Sequence, residues 1–199
     1  MREVEMNSSL DKIEVRKLFS EEEIKATVKR IAEQIAIKYL PILEKEGDKF
    51  RLLFVGVLKG GEPFASDLAR EVSRIFPAVY ILKDYISVAS RNKDNKSGEV
   101  RLLLDTRQSI KGIYVIIVED IVDTGATMAY LWPQFLSHKP AGLELCSLIN
   151  KIPEREKEIE IHYVGFELPK PLYVVGYGLD SKERFRGLPF IGYIPDEQD

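Results

Sequence analysis

The chain has 199 residues, 45% of them apolar, enough for one domain with a buried core and too many for wholesale disorder. Lys and Arg total 29 against 32 Asp and Glu, and the resulting net charge of −3 counts against a dedicated nucleic-acid binder. No apolar run approaches the roughly 18 residues of a membrane span. The charged opening residues carry no secretory signal, and a single cysteine, Cys146, allows no internal disulfide and points to a reducing cytosol.

The first element announces itself at Ser20-Glu21-Glu22-Glu23, which has the form of a capping box, with Phe19 and Ile24 placed as a hydrophobic staple. Ile24, Val28, Ile31, Ile35 and Tyr39 follow at helical spacing, and Pro41 is expected to end or bend that helix. Beyond Gly47, short apolar runs alternate with longer amphipathic stretches. The runs are 52–58 (LLFVGVL), 78–82 (AVYIL), 100–104 (VRLLL), 114–118 (YVIIV), 143–149 (LELCSLI) and a short one at 173–175. Several are apolar at successive positions, as strands covered on both faces are. Residues 63–76 and 124–138 read as crossover helices, the second with a kink or early break at Pro133. The predicted fold class is therefore α/β, a mostly parallel central sheet flanked by helices. Residues 87–98 (SVASRNKDNKSG) are polar, charged and long for a connection, which suits either a lid or a bare hairpin tip.

The chemistry concentrates in 115–127, VIIVEDIVDTGAT. An apolar strand runs into two carboxylates, Glu119 and Asp120, and Asp123-Thr124-Gly125-Ala126-Thr127 then opens a helix. In an open parallel sheet, ligands sit beyond the carboxyl ends of the strands. Free N–H groups, two hydroxyls and a glycine there make a phosphate cradle. Acids just ahead of it suit ribose hydroxyls or magnesium. A plain helix cap would use Asp123 or Thr124 but has no need of the other acids. Two common nucleotide motifs fail: Gly56 to Gly61 has Walker A spacing but is followed by Glu62-Pro63, and Gly176-Tyr177-Gly178 lacks the third glycine of a dinucleotide fingerprint.

This string resembles the phosphoribosyl-pyrophosphate (PRPP) motif of the type I phosphoribosyltransferases. The further segments Leu58-Lys59-Gly60-Gly61, Ser147-Leu148-Ile149-Asn150-Lys151, Val164-Gly165-Phe166-Glu167, Val174-Val175-Gly176-Tyr177-Gly178-Leu179-Asp180 and Phe185-Arg186, in that order, make the likeness specific to the hypoxanthine-guanine phosphoribosyltransferases. It spans roughly residues 50–194. The resemblance implies one domain over 1–199, with a core of about 50–180 and a small hood from about 1–45 and 165–199. It implies magnesium-dependent transfer of the 5-phosphoribosyl group of PRPP to N9 of hypoxanthine or guanine, giving IMP or GMP and pyrophosphate.

Residue roles follow from the same resemblance. Glu119 and Asp120 would hold the ribose hydroxyls, directly or through magnesium, and Asp180 would be a further metal ligand beside the purine. Asp123, Thr124, Gly125, Ala126 and Thr127 would bind the 5-phosphate, although Ala126 stands where some relatives carry lysine. Lys59, Gly60 and Arg186 would bind pyrophosphate, in a loop that in this family can contain a cis peptide at Lys59-Gly60. Asp123 would take the N7 proton, Lys151 would donate to O6, Tyr173 would stack on the base, and the Val174 backbone would read the ring edge. Asp84 and Tyr85 stand where the family lid carries Ser-Tyr, an acid where pyrophosphate would repel it. The lid would run over 85–98, with Arg91, Lys93 and Lys96 attracting the anion. The helix at 20–40 has no strong counterpart and is assigned to the hood or an interface. His138 and His162 lack ligand spacing, Cys146 reads as an inert core thiol, and 154–160 (EREKEIE) as a solvated turn. The expected protein is a cytoplasmic homodimer or homotetramer with no nucleic-acid or membrane partner. The rival readings are a PRPP-sensing regulator without turnover and a phosphoribosyltransferase for xanthine or a pyrimidine.

Overall fold

A computed structural model describes residues 13–77, 79–90 and 100–195. Along the chain these form β1 (Arg16–Phe19), α1 (Glu21–Glu46), β2 (Leu52–Leu58), α2 (Glu62–Ile75), β3 (Ile81–Ser90), β4 (Val100–Leu104), β5 (Tyr114–Val122), α3 (Ala126–Ser137), β6 (Gly142–Lys151), β7 (Tyr163–Leu168), β8 (Tyr173–Val175) and β9 (Ile191–Ile194). Six strands make the main sheet in the order β4-β3-β2-β5-β6-β7, parallel throughout except for the β3–β4 pair. Helices α1 and α2 pack on one face and α3 on the other. Strands β2, β5 and β6 are thus buried on both sides, the physical reason their sequences are apolar at consecutive positions.

Helix α1 starts as its sequence predicts. The Ser20 hydroxyl accepts the Glu23 N–H, and the Glu23 carboxylate accepts the Ser20 N–H. It does not stop at Pro41 but continues to Glu46. Pro41 cannot donate to the Ile37 carbonyl, but Ile37 is 76% exposed, so the missing bond falls on the solvent side of the helix. Pro133 is tolerated inside α3 for the same reason, because Ala129 four residues earlier is exposed. The apolar face of α1 is buried in the main core. Ile24, Val28, Ile31, Ile35 and Tyr39 share one core with Leu68 and Val72 of α2 and Leu148 of β6.

A buried carboxylate ties this layer together. The hydroxyls of Tyr39 and Tyr163 donate to Glu144 Oε2 at 2.9 and 2.8 Å, and Lys38 pairs with Oε1. Glu144 lies near the start of β6, seven residues before Lys151. Changing Glu144→Ala leaves two buried hydroxyls without an acceptor. We expect urea unfolding to show a loss of about 3 kcal/mol, with kcat unchanged because the site lies at the other end of the strand.

Two short strands of the terminal segments, β1 and β9, escaped the sequence reading, while β8 coincides with the short apolar run at 173–175. β1, β9 and β8 form a separate antiparallel sheet in that order, built from the two terminal segments. β7 also appears beyond β6 as an edge of the main sheet. β3 begins at Ile81 and runs on to Ser90, so the first part of the polar 87–98 stretch is strand, with Ser87 to Ser90 paired to β4. Arg91, Lys93 and Lys96 lie outside the described residues.

The topology places a binding crevice. From β2 the chain passes through α2 to β3 on one side, and from β5 through α3 to β6 on the other. The loops after β2 and β5 therefore diverge at the point where strand order reverses, where open α/β sheets take their ligands.

Candidate active site

The loop after β2 is shaped by what it has no room for. A Cβ on Gly60 would stand 1.7 Å from Asp120 Oδ2, and one on Gly61 would stand 2.8 Å from the carbonyl oxygens of Val57 and Val118. The loop backbone thus sits directly against the Asp120 carboxylate. A cis peptide joins Leu58 to Lys59, one bond before the position the resemblance indicated. On the other side Gly178, at φ +100°, comes so close that a Cβ would be 2.1 Å from the Gly60 carbonyl oxygen. Arg186 holds that approach: Nη1 donates to the Gly178 carbonyl at 2.7 Å and Nη2 pairs with Asp180 Oδ1 at 2.8 Å. Glu183, which the sequence did not single out, accepts from Lys59 Nζ at 3.1 Å and lies 3.4 Å from Arg186 Nε. Lys59, Gly60, Asp120, Asp180 and Arg186 are accordingly brought together.

Strand β5 extends through Val122, so Glu119 and Asp120 belong to the strand rather than to the loop beyond it. Glu119 is 7% exposed, and its Oε2 has no hydrogen-bond partner among the described residues. Burial, with Asp120 adjacent, pushes its carboxyl well above the usual range. Burial also pushes Asp120 up, to about 6, against the opposing pull of its own and the Ile121 N–H and of Arg186. Such a pair is set to receive hydroxyl donors or a cation.

The second loop, Asp123 to Gly125, leads into α3. Gly125 takes φ +84°, and a Cβ there would be 3.0 Å from Ile159 Cγ1 and from the Lys157 carbonyl oxygen. Thr124 Oγ1 accepts the Ala126 N–H at 3.3 Å, and the Thr124 carbonyl accepts the N–H groups of Glu156 and Lys157 at 3.0 Å each. Arg155 Nε donates to the Asp123 carbonyl at 2.9 Å, and its Nη2 reaches the Val122 carbonyl at 3.1 Å and Asn150 Oδ1 at 2.5 Å. Residues 154–160, read as a solvated turn or loop, are irregular and largely exposed, and they also buttress this loop through Arg155 and the N–H groups of Glu156 and Lys157. No sequence signal marks the role, because it is played against remote backbone. A cavity of about 220 Å³ remains, lined by Glu119, Asp120, Asp123, Thr124, Gly125 and Thr127 among others.

Lys151 reaches this loop from the end of β6. It is 7% exposed, with Nζ 2.5 Å from Glu154 Oε2 and 3.6 Å from Asp123 Oδ2. Among the described residues, Asp123 Oδ1 is buried without a partner. Burial, and then Glu154, push the Asp123 carboxyl up to about 6, with Lys151 opposing. Tyr173 is 54% exposed on β8, so its ring is free for stacking, and its hydroxyl donates to the Asp180 carbonyl at 3.3 Å. Val174 is buried and stands opposite Tyr193 of β9.

Asp84 and Tyr85 require a correction. They lie inside β3 opposite Val55 and Gly56, whereas the end of β2, Leu58, stands opposite Ser87. The Asp84 carboxylate accepts the N–H of Arg107 at 2.7 Å and of Tyr85 at 2.8 Å. Its charge is committed to the bend after β4, so the expected repulsion toward pyrophosphate has no source there. The Tyr85 hydroxyl lies 3.2 Å from Glu62 and 3.3 Å from Ser66 on α2.

Among the described residues, no three His, Cys, Asp or Glu side chains are grouped to hold a metal, so Glu119, Asp120 and Asp180 do not form a cage. Magnesium, however, usually takes one or two carboxylates plus substrate oxygens and water. The orphaned Glu119 oxygen and the Asp180 carboxylate on the Arg186 side fit that mode. A larger groove of about 800 Å³ between α1 and α2 offers less: Lys25, Arg70 and Arg74 in its walls are paired with Glu21, Asp67 and Glu71.

Comparison with known proteins agrees with this arrangement. A family model described as a phosphoribosyl transferase domain matches residues 15–182. The chain is 38% identical over 178 residues to the hypoxanthine-guanine phosphoribosyltransferase of Bacillus subtilis, covering 89% of this chain and 91% of that one. It is 36% identical over 193 residues to the bifunctional protein TilS/HprT of Listeria monocytogenes, covering 96% of this chain and 27% of that longer one. Among solved structures, Trypanosoma cruzi hypoxanthine phosphoribosyltransferase with the product IMP superimposes with a TM-score of 0.82 at 36% identity, covering 96% of this chain and 99% of that one. A Bacillus anthracis hypoxanthine-guanine phosphoribosyltransferase gives 0.78 at 37%, covering 92% and 100%. The chain belongs to the phosphoribosyltransferase family, in its hypoxanthine-guanine branch.

Proposed function

We propose that this chain is a purine-salvage enzyme that transfers the 5-phosphoribosyl group of PRPP to N9 of hypoxanthine or guanine, forming IMP or GMP and releasing pyrophosphate. The observation that carries the reading is the Asp123–Lys151 pair, 3.6 Å apart at the mouth of the phosphate cradle. It offers one bound purine a proton acceptor and a cation together.

The N–H groups at the start of α3, with the hydroxyls of Thr124 and Thr127, receive the 5-phosphate. Glu119 and Asp120 receive the ribose hydroxyls, which gives the orphaned Glu119 oxygen a donor. Lys59, the Gly60 backbone and Arg186 receive pyrophosphate, with Arg186 exchanging Asp180 and Glu183 for the incoming anion. The C1′–O bond to pyrophosphate breaks as the N9–C1′ bond forms, and the N7 proton passes to Asp123. Lys151 has donors only, so it matches an O6 carbonyl and rejects the amino group of adenine. Tyr173 stacks on the ring. Asp180, and Glu119 with Asp120, would hold magnesium together with substrate oxygens, and the ion would supply positive charge against the leaving pyrophosphate. The β1-β9-β8 sheet acts as a hood over the base, within a single domain. A homodimer or homotetramer in the cytoplasm completes the proposal; the free Cys146 thiol supports that location.

The test is a panel of hypoxanthine, guanine, xanthine, adenine, uracil and orotate with PRPP and magnesium, with product analysis and an EDTA control. We expect nucleotide from hypoxanthine or guanine, abolished by EDTA. PRPP binding without product from any base would instead indicate a regulator, and product only from xanthine or a pyrimidine would reassign the base.

A further inference from the structure

Glu154 has no role in the reading above, yet it makes the shortest contact to Lys151. Its Oε2 is 2.5 Å from Nζ, against 3.6 Å for Asp123 Oδ2. The lysine is nearly buried, while each carboxylate keeps about two-fifths of its side chain exposed. One buried cation thus stands between two acids and sits on the one that does not face the cradle. Asp123 Oδ1 is left buried with no partner among the described residues. Arg155, next in sequence to Glu154, spends its guanidinium on the carbonyls of Val122 and Asp123 and on Asn150, so it does not neutralise the Asp123 carboxylate either.

We propose that Glu154 is a positioning residue: it draws the Lys151 ammonium away from Asp123 and so leaves the Asp123 carboxylate free to take a proton from the purine. This inference rests on the proposed roles of Asp123 and Lys151. Without Glu154, the ammonium has one carboxylate left and closes on Asp123. An ion-paired Asp123 binds protons more weakly, and so does one relieved of a neighbouring negative charge. Both effects have the same sign. The charged groups facing Asp123 are Lys151 from β6 and Glu154 and Arg155 from the segment that follows it.

The experiment compares the unmodified enzyme with Glu154→Gln, and with Glu156→Gln as a control at an exposed neighbour. The Asp123 carboxyl is titrated by carbon NMR in the substrate-free enzyme, its signal assigned through Asp123→Asn, and the pH dependence of kcat is measured in parallel. We expect the Asp123 midpoint to lie near 6 in the unmodified enzyme and to fall by about one pH unit or more in Glu154→Gln, with no change in Glu156→Gln. The acid limb of kcat should move down with it, and KM for PRPP should stay put. A midpoint that stays or rises in Glu154→Gln overturns the proposal. A midpoint that falls while the acid limb of kcat stays in place overturns the proposal through its premise, removing Asp123 as the base while the effect of Glu154 on its carboxyl stands, so the two failures are separable.

Discussion

An Asp123→Asn variant should bind PRPP within about twofold of the unmodified enzyme yet lose roughly 10²–10⁴ in kcat, the contribution of a well-placed general base. The substitution preserves shape and removes the negative charge, and with it the ability to accept a proton. A competing structural role would be to cap α3, but the N-cap of that helix is Gly125, the Ala126 N–H goes to Thr124 rather than Asp123, and among the described residues Asp123 Oδ1 takes no hydrogen bond. Stability should therefore hold, which a thermal melt beside the kinetics will show. The pH profile supplies the second check. Asp123 is raised to about 6, so it is an open acceptor above that pH and occupied below it. Turnover of the unmodified enzyme should fall as pH drops through about 6, and the Asn variant should lack that limb. An acid limb surviving unchanged in the variant would assign the base to another group.

How much of this was legible beforehand depended on whether a residue acts locally. The capping box at Ser20 and Glu23 closes within one turn, and the apolar runs of β2, β5 and β6 record burial on both faces; each could be read from its own neighbours. Glu119, Asp120 and Asp123 were legible because acids at a strand end have little structural use. Features that depend on remote partners were not. Asp84 finds its partner at Arg107, Arg155 at the Asp123 carbonyl, and Gly178 at Gly60. Pro41 and Pro133 stay inside helices at positions whose i−4 residues, Ile37 and Ala129, are exposed, a matter of packing rather than of local sequence. β1 and β9 are four residues each and form by pairing in the small sheet that β8 completes, so no periodicity could announce them, whereas the apolar run of β8 was visible.

The same reliance on remote contacts makes Gly60 the most sensitive backbone position of the site. Gly60→Ala should lower kcat/KM for PRPP by about 10²-fold or more, the cost of displacing a positioning element by about 1 Å. The added methyl would begin 1.7 Å from Asp120 Oδ2, so either the carboxylate swings away or the loop retreats. Retreat is blocked on the far side, where Gly178 already meets the Gly60 carbonyl and Arg186 holds the Gly178 carbonyl at 2.7 Å. A swing of Asp120 removes one acid from the ribose end and disturbs the charge shared with Asp180 and Arg186. Either way Lys59 and Asp120 lose their common alignment. The loss of fold stability should be only about 1–3 kcal/mol, the usual cost of overpacking at one point. Gly187 supplies the control: a Cβ there meets nothing within 4 Å, so Gly187→Ala should leave both kcat/KM and the melting temperature close to those of the unmodified enzyme. PRPP titration calorimetry with steady-state kinetics on both variants decides the matter. A fully active Gly60→Ala enzyme would mean that the close approach of Gly60 to Asp120 is not what aligns the two loops for PRPP.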